Sequence, residues 1–384
     1  MSDERRTVLF AGGGTAGHVF PALAVARELE RLDPTVEPVF VGTEDRLEGR
    51  LVPEAGFRLH HIDVLPVPRR LSLGLLKVPS ALRSSVRACV DIATAERALG
   101  AITFGGYVSF PLDWASARLQ LPLVIHEQNS VPGLANRFAS RWADRIAVTF
   151  PGSADRFRHP EKVAVTGNPV REEMLALDQD ARREEARRHF GLRPDRATLL
   201  VFGGSQGARA INQAAVGSYG RWSQPERIQI LHAAGQNLHR EAAAGWEKAR
   251  AAGPGPLVRC VDFIDDMAAA YAAADAVVCR AGATSIAELT ALGKPAVLVP
   301  YPHATADHQL HNGRALEQAG GATVIEDDDL DAARLVAAVE PWLVDEASGG
   351  AVAAASRAFG RRDAATNVAT LILDLLPPHR RSTS

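Results

Sequence analysis

Cysteine is scarce in this chain: only Cys89, Cys260 and Cys279 occur among 384 residues. They are odd in number and lack metal-ligand spacing, which excludes a disulfide framework and a paired-cysteine zinc site. A reducing compartment is the expectation. An excess of one charge is missing too, with 43 lysines and arginines against 45 aspartates and glutamates and a formal net charge of -2. General nucleic-acid binders carry a marked cationic excess, so that class is excluded and any basic site must be local. No apolar run approaches the roughly 20 residues that span a bilayer, and no secretory signal precedes the first strand-like segment. Membrane contact is therefore expected to be peripheral.

What is present points to a folded α/β protein. Hydrophobic residues make up 46% and charged residues 23%, a globular balance. The length exceeds the roughly 250–300 residues at which one core stops growing, so two domains are expected. Short apolar runs alternate with amphipathic helical stretches, as in parallel sheets with crossover helices. TVLFAG, PVFVG, LPLVIH, RIAVTF and KVAVTG read as one strand series, and ATLLVFGG, RIQILHAAG, LVRCVDF, DAVVCRAG and PAVLVPY as a second. The polar stretch that starts at Gly167 reads as a linker and a surface helix. The expected domains are residues 1–168 and 169–353. Both open alike, with VLFAGGGTAGH and LLVFGGSQGAR.

The glycine turns carry the candidate chemistry. Gly12, Gly13, Gly14 and Gly17 follow a strand and precede a helix with Pro21 in its first turn. Their amides and the helix dipole would suit an anion or a polar ligand, or they form a plain structural turn. His18, where that helix begins, reads as a general base or as a loop hydrogen bond. Gly203 to Gly207 repeat the arrangement, with Ser205 adding a hydroxyl to a pyrophosphate cradle. Gly282 to Ile286 form a third turn. Glu288, expected in the first turn of the helix they start, would accept ribose hydroxyls or complement the dipole. HEQNS, His126 to Ser130, sits in a strand-end loop, where open α/β sheets bind ligands. Gln309 and Asn312 share a helix face and would hydrogen-bond sugar hydroxyls or simply face solvent, and Arg171 would meet a phosphate or solvent. Asp327 to Asp329 read as a helix start, and no strand ends in a metal-holding Asp-x-Asp. No metal and no cofactor is expected.

Arg69 to Arg87 mixes Leu71, Leu73, Leu75, Leu76, Val78 and Leu82 with Arg69, Arg70, Lys77, Arg83 and Arg87, without an acidic residue. It reads as a patch for anionic lipid or as an amphipathic helix with a solvated basic face.

Taken together, GGGTAGHVFPALAVA, FGGYVSFP, IHEQNSVPGLANR, GNPVR, GGSQGAR, CRAGATSIAEL and PYPHATADHQLHN resemble the MurG family of glycosyltransferases, glycosyltransferase family 28, in that family's order over roughly residues 7–320. The resemblance implies the GT-B fold, two Rossmann-like domains facing across a cleft. It implies inverting transfer of N-acetylglucosamine from UDP-GlcNAc to the undecaprenyl-linked acceptor lipid I at the cytoplasmic face of the inner membrane. Cell-wall and division proteins are implied as partners. Carried over by motif, Thr15, Ala16, Gly17 and Asn129 would meet the sugar and diphosphate, and Arg171 and Ser205 the phosphate. Ile264 would offer its backbone to uracil. Ala283, Thr284, Ser285, Ile286, Ala287 and Glu288 would surround the nucleotide, with Glu288 on the ribose, and Gln309 would hold the sugar. Ala16 stands where many members have a second glycine. Residues 354–384 are expected to return to the first domain as a helix. His18 is the expected base and Glu127 its competitor. Arg69, Arg70, Leu73, Leu75, Leu76 and Lys77 would face the membrane. The rival readings are a diacylglycerol glycosyltransferase, a UDP-sugar epimerase and a non-catalytic nucleotide-sugar sensor.

Overall fold

The computed structural model describes residues 5–64, 78–204 and 206–378. The chain divides into two compact units, residues 1–171 with 362–384 and residues 172–361. The first contains β1 (Arg6–Ala11), α1 (Ala16–Leu32), β2 (Val36–Gly42), α2 (Leu47–Glu54), β3 (Arg58–His61), α3 (Val78–Ala95), β4 (Gly100–Thr103), α4 (Ser109–Leu119), β5 (Leu123–Glu127), α5 (Leu134–Ala139), β6 (Arg145–Val148) and β7 (Val163–Val165). The second contains α6 (Glu172–Leu175), α7 (Gln179–His189), β8 (Ala197–Phe202), α8 (Arg209–Gly217), β9 (Ile228–Ala233), α9 (His239–Ala252), β10 (Leu257–Val261), α10 (Met267–Ala273), β11 (Ala276–Arg280), α11 (Ala283–Leu292), β12 (Ala296–Val299), α12 (His308–Gln318), β13 (Ala322–Val324), α13 (Ala332–Val344) and α14 (Glu346–Phe359). The last helix, α15 (Ala364–Leu373), belongs to the first unit.

Each unit is a doubly wound parallel sheet. The first has the order β3-β2-β1-β4-β5-β6-β7 and the second β10-β9-β8-β11-β12-β13. Strands covered on both faces must be apolar along their length. Val8, Leu9, Phe10 and Ala11 of β1 are fully buried, as are Leu199, Leu200 and Val201 of β8. Strand order reverses between β1 and β4 and again between β8 and β11. At such switch points the connections leave in opposite directions and open a crevice at the carboxyl ends of the strands.

Three strands escape the apolar-run criterion. β3, Arg-Leu-His-His, lies on a sheet edge and needs no continuous apolar run, while β4, Gly-Ala-Ile-Thr, and β13, Ala-Thr-Val, have their apolar residues interrupted or flanked by glycine and threonine. The acidic run Asp327–Asp329 is a short 3-10 turn, not the helix start; α13 begins at Ala332, capped by Asp331 accepting from the Arg334 amide at 2.7 Å.

The chain leaves the first unit after Arg171 and returns at Arg362. Residues 354–361 thus stay with the second unit, because α14 packs on α11 and α13. α15 lies against α1, burying Val368, Ala369 and Ile372 with Leu376 in the core beneath it. Burial of the three larger side chains is worth about 1.5–3 kcal/mol each. The contact is close: a Cβ on Gly100 would stand 3.0 Å from both Ile372 and Leu376 methyls.

Candidate functional site

In the first unit the loops after β1, β4 and β5 gather at the switch point. Thr15 is the extended N-cap of α1, with Ala16, Gly17 and His18 in its first turn. The His18 Nδ1 lies 3.1 Å from the Gly13 carbonyl and 3.0 Å from the Thr15 hydroxyl. A carbonyl can only accept, so Nδ1 carries the hydrogen and Nε2 the lone pair. The ring rests on two consecutive glycines of the β4 loop, Gly105 (φ +83) and Gly106 (φ +84). A Cβ on Gly106 would stand 2.6 Å from the Gly13 oxygen and 3.4 Å from His18 Nδ1. Only glycine allows both this backbone conformation and this approach.

One amide of the first glycine turn is already occupied. Gly14 N donates to Glu48 Oε2 at 3.0 Å, and Glu48 Oε1 accepts from the Thr43 hydroxyl at 2.7 Å. Glu48 is buried in the first turn of α2. At Gly14 the amide thus meets a carboxylate of the protein itself.

Glu127 ends β5 with both carboxylate oxygens engaged. Oε1 accepts from the Asn129 amide at 2.9 Å; Oε2 accepts from the Gly133 amide at 3.0 Å and Asn136 Nδ2 at 2.9 Å. Burial pushes its carboxyl above the usual range, and these hydrogen bonds pull it back. A group so committed organises its loop. His126, beneath it, donates from Nε2 to the Gly167 oxygen at 3.2 Å; a carbonyl can only accept, so Nε2 carries hydrogen. Burial holds it neutral, with its pKa lowered to about 4; the Gly167 hydrogen bond opposes this and His18 adds to it. Arg171 lies with its guanidinium 4.8 Å over the ring of Phe20, on α1 two residues beyond His18.

In the second unit, Ala283–Ile286 form the start of α11 behind the extended N-cap Gly282. Glu288 falls in the second turn, not the first, so the helix-dipole reading lapses. It is buried, with the Tyr271 hydroxyl donating to its Oε2 at 3.2 Å. Gln309 Oε1 accepts from the Tyr301 amide at 2.9 Å, which turns its NH2 into the group left to donate elsewhere. Asn312 is fully buried, so the solvated-face reading of this pair fails for it. Ile264 lies between β10 and α10 and is buried. Arg280, at the end of β11, binds Asp327 and the carbonyls of Val299 and Pro300, tying β11 to the loop that carries Tyr301. Ser205 lies outside the described residues, as do Arg69, Arg70, Leu73, Leu75, Leu76 and Lys77.

At the C-terminal end of the basic segment, Arg83, Val86, Arg87, Val90 and Asp91 of α3 and Trp114 and Arg118 of α4 line a cavity of about 610 Å³. Trp114 stacks with Trp142 at 6.0 Å, and Phe110 touches both rings. Arg141 sits 3.5 Å over Phe138, and Leu134 is 80% exposed. Among the described residues no helix is long and apolar enough to cross a membrane.

Glu48, the Gly105–Gly106 pair, Asn136, Tyr271 and Arg280 were not singled out from sequence. The glycine pair was visible in FGGYVSFP. A glutamate in a helix first turn looks like a dipole partner until the fold carries a glycine loop over it.

The family description "Glycosyltransferase family 28 N-terminal domain" matches residues 8–148, and "Glycosyltransferase family 28 C-terminal domain" matches residues 198–368. A UDP-N-acetylglucosamine--N-acetylmuramyl-(pentapeptide) pyrophosphoryl-undecaprenol N-acetylglucosamine transferase of Nocardioides sp. is 45% identical over 96% of this chain and 98% of its own length. One of the same name from Mycobacterium sp. strain JLS is 42% identical over 96% of this chain and 95% of its own. The crystal structure of Acinetobacter baumannii MurG superposes with a TM-score of 0.76 at 27% identity, covering 96% of this chain and 99% of that one. The chain is a hexosyltransferase of the GT-B fold and belongs to the MurG family of glycosyltransferases, glycosyltransferase family 28.

Proposed function

We propose that the chain transfers N-acetylglucosamine from UDP-N-acetylglucosamine, with inversion, to the muramyl-pentapeptide of undecaprenyl-linked lipid I, giving lipid II for peptidoglycan. Relatives along nearly the whole chain carry that donor and acceptor in their names. The observation that carries the chemistry is the orientation of His18, whose Nδ1–H is spent on Gly13 and whose Nε2 is the basic atom. In this reading Nε2 takes the proton of the acceptor sugar hydroxyl as its oxygen bonds to the anomeric carbon. The bond from that carbon to the β-phosphate oxygen breaks, and UDP leaves with the electron pair.

Charge on the leaving diphosphate is met without a metal, by Arg171, Ser205 and the amides at the start of α11. Thr15, Ala16, Gly17, Asn129 and Gln309 hold the sugar and diphosphate, Glu288 the ribose, and the Ile264 backbone the uracil. A buried glutamate at a switch point, set by a tyrosine hydroxyl, supports the ribose role.

Radiolabelled donor offered with lipid I, with diacylglycerol and with no acceptor tests the reading. Label on lipid I alone is expected. Label on diacylglycerol instead, or isomerisation of UDP-N-acetylglucosamine without acceptor, would sink it.

The same reading rests the first unit on the anionic cytoplasmic face of the inner membrane. The arginines beside Trp114, and the exposed aromatic and leucine side chains near them, support this. Replacing Arg69, Arg70 and Lys77 by glutamate should release the protein from phosphatidylglycerol vesicles; undiminished binding would refute it.

A further inference from the structure

The peptide group between Gly13 and Gly14 is held from both sides. Its N–H donates to Glu48 Oε2 at 3.0 Å, and its C=O accepts from His18 Nδ1 at 3.1 Å. We propose that Glu48 is a positioning residue that sets the state of His18 through this peptide, a carboxylate and an imidazole joined by one backbone amide. Hydrogen bonds in series polarise one another, so a negative charge on the N–H side makes the carbonyl a stronger acceptor for Nδ1–H. That fixes the tautomer, holds the ring and favours the imidazolium that forms when Nε2 takes a proton. The role in catalysis rests on the reading of His18 as the base; the coupling itself does not.

Several features support a built arrangement. Glu48 is 1% exposed, and its other oxygen is engaged by the Thr43 hydroxyl. A Cβ on Gly13 would stand 2.6 Å from Oε1, and one on Gly42 2.8 Å from Cγ, so two glycines make room for this side chain. Other charged or titratable groups around the loop include His126 of β5, held neutral, Glu127, bonded to the Asn136 amide beside Gly105, Tyr107, whose ring faces Gly14, and Arg171 over Phe20. None of these touches the Gly13–Gly14 peptide as Glu48 does among the described contacts.

Glu48→Gln keeps the shape and removes the charge. Its amide oxygen can accept from Gly14 N while its NH2 donates to the Thr43 hydroxyl. Full-length protein carrying 13C-histidine, with His18 assigned by its loss in His18→Gln, is titrated by NMR. In parallel, kcat/KM is followed against pH with UDP-N-acetylglucosamine and a soluble lipid I analogue. The His18 midpoint is expected to fall by on the order of 0.5–1 pH unit, for a charge removed at roughly 8 Å. The acid limb of kcat/KM should move with it, with turnover down about 3- to 10-fold and the donor KM unchanged. A His18 midpoint unmoved in folded Glu48→Gln overturns the proposal. A moved midpoint with an unmoved acid limb upholds the coupling and removes His18 as the base. Should Glu48→Gln fail to fold, Thr43→Val strips a competing donor from the carboxylate and should raise the midpoint; no rise would overturn the proposal equally.

Discussion

Gly106→Ala isolates the contact between the β4 loop and the loop that bears His18. Gly106 has φ +84, and a left-handed conformation costs a residue with a Cβ about 1–2 kcal/mol. The new Cβ would also stand 2.6 Å from the Gly13 oxygen, where a carbon normally approaches an oxygen to about 3.3 Å. The Gly13 carbonyl must then retreat by about 0.7 Å, an overpacking cost of about 1–3 kcal/mol. The sum, about 2–5 kcal/mol, lowers the melting temperature of a unit this size by about 5–15 °C. That carbonyl is the acceptor for His18 Nδ1, so the ring moves with it, and a displacement approaching 1 Å costs up to about 100-fold in rate. Turnover should fall about 30- to 100-fold. Gly56→Ala is the control: φ is +87, yet nothing lies within 4 Å of its Cβ, so it should lose about 1 kcal/mol and no turnover. Melting by differential scanning fluorimetry and initial transfer rates at 20 °C below the lower midpoint separate the two effects. Wild-type turnover in Gly106→Ala, or an equal loss in Gly56→Ala, would refute the argument that this glycine serves His18.

Other perturbations test neighbouring parts of the structure. Burial raises the Asp113 carboxyl to about 7, and the Thr103 hydroxyl that donates to it at 2.7 Å only partly opposes this. A raised folded value means the stability is complete below about pH 4 and is lost as pH rises to about 7, a span of on the order of 4 kcal/mol. Asp113→Asn should therefore flatten urea midpoints between pH 5 and pH 8 and be the more stable protein at pH 8; an unchanged slope would mean the carboxyl is not buried in this way. Glu127→Gln sets an NH2 against the loop amides that now donate to a carboxylate, and should cost about 2–4 kcal/mol and lower kcat by one factor at every pH. A displaced acid limb in that variant would instead make Glu127 the base. Tyr271→Phe withdraws one donor from buried Glu288, and should raise the donor KM about 5-fold with kcat little changed. A calorimetric UDP affinity equal to wild type would count against the placement of Glu288 on the nucleotide.

Much of this protein is local in origin and could be read from residue order. Strands buried on both faces must be written as apolar runs, so β1, β2, β5, β6, β8, β9, β11 and β12 stand out, with the two-domain α/β class following from their alternation with helices. Glycines between a strand and a helix mark the turns at both switch points for the same reason: the main chain must bend sharply where a side chain has no room. The Gly105–Gly106 pair was legible in this way, though its purpose was not.

What the chain order could not decide is which distant groups share a peptide. Glu48 lies 34 positions from Gly14, and nothing between them records that a carboxylate will meet that amide; only the packing of α2 under the first glycine turn does so. Glu127 read from sequence as a competitor of His18; only the fold shows donors from Asn129, Gly133 and Asn136 closing around it. Glu288 needed the register of α11 to reveal a buried carboxylate met by Tyr271, 17 residues away. Hydrophobic periodicity is written along the sequence because it repeats every turn or every second residue. A single hydrogen bond between remote segments has no period, so tertiary structure alone assigns it.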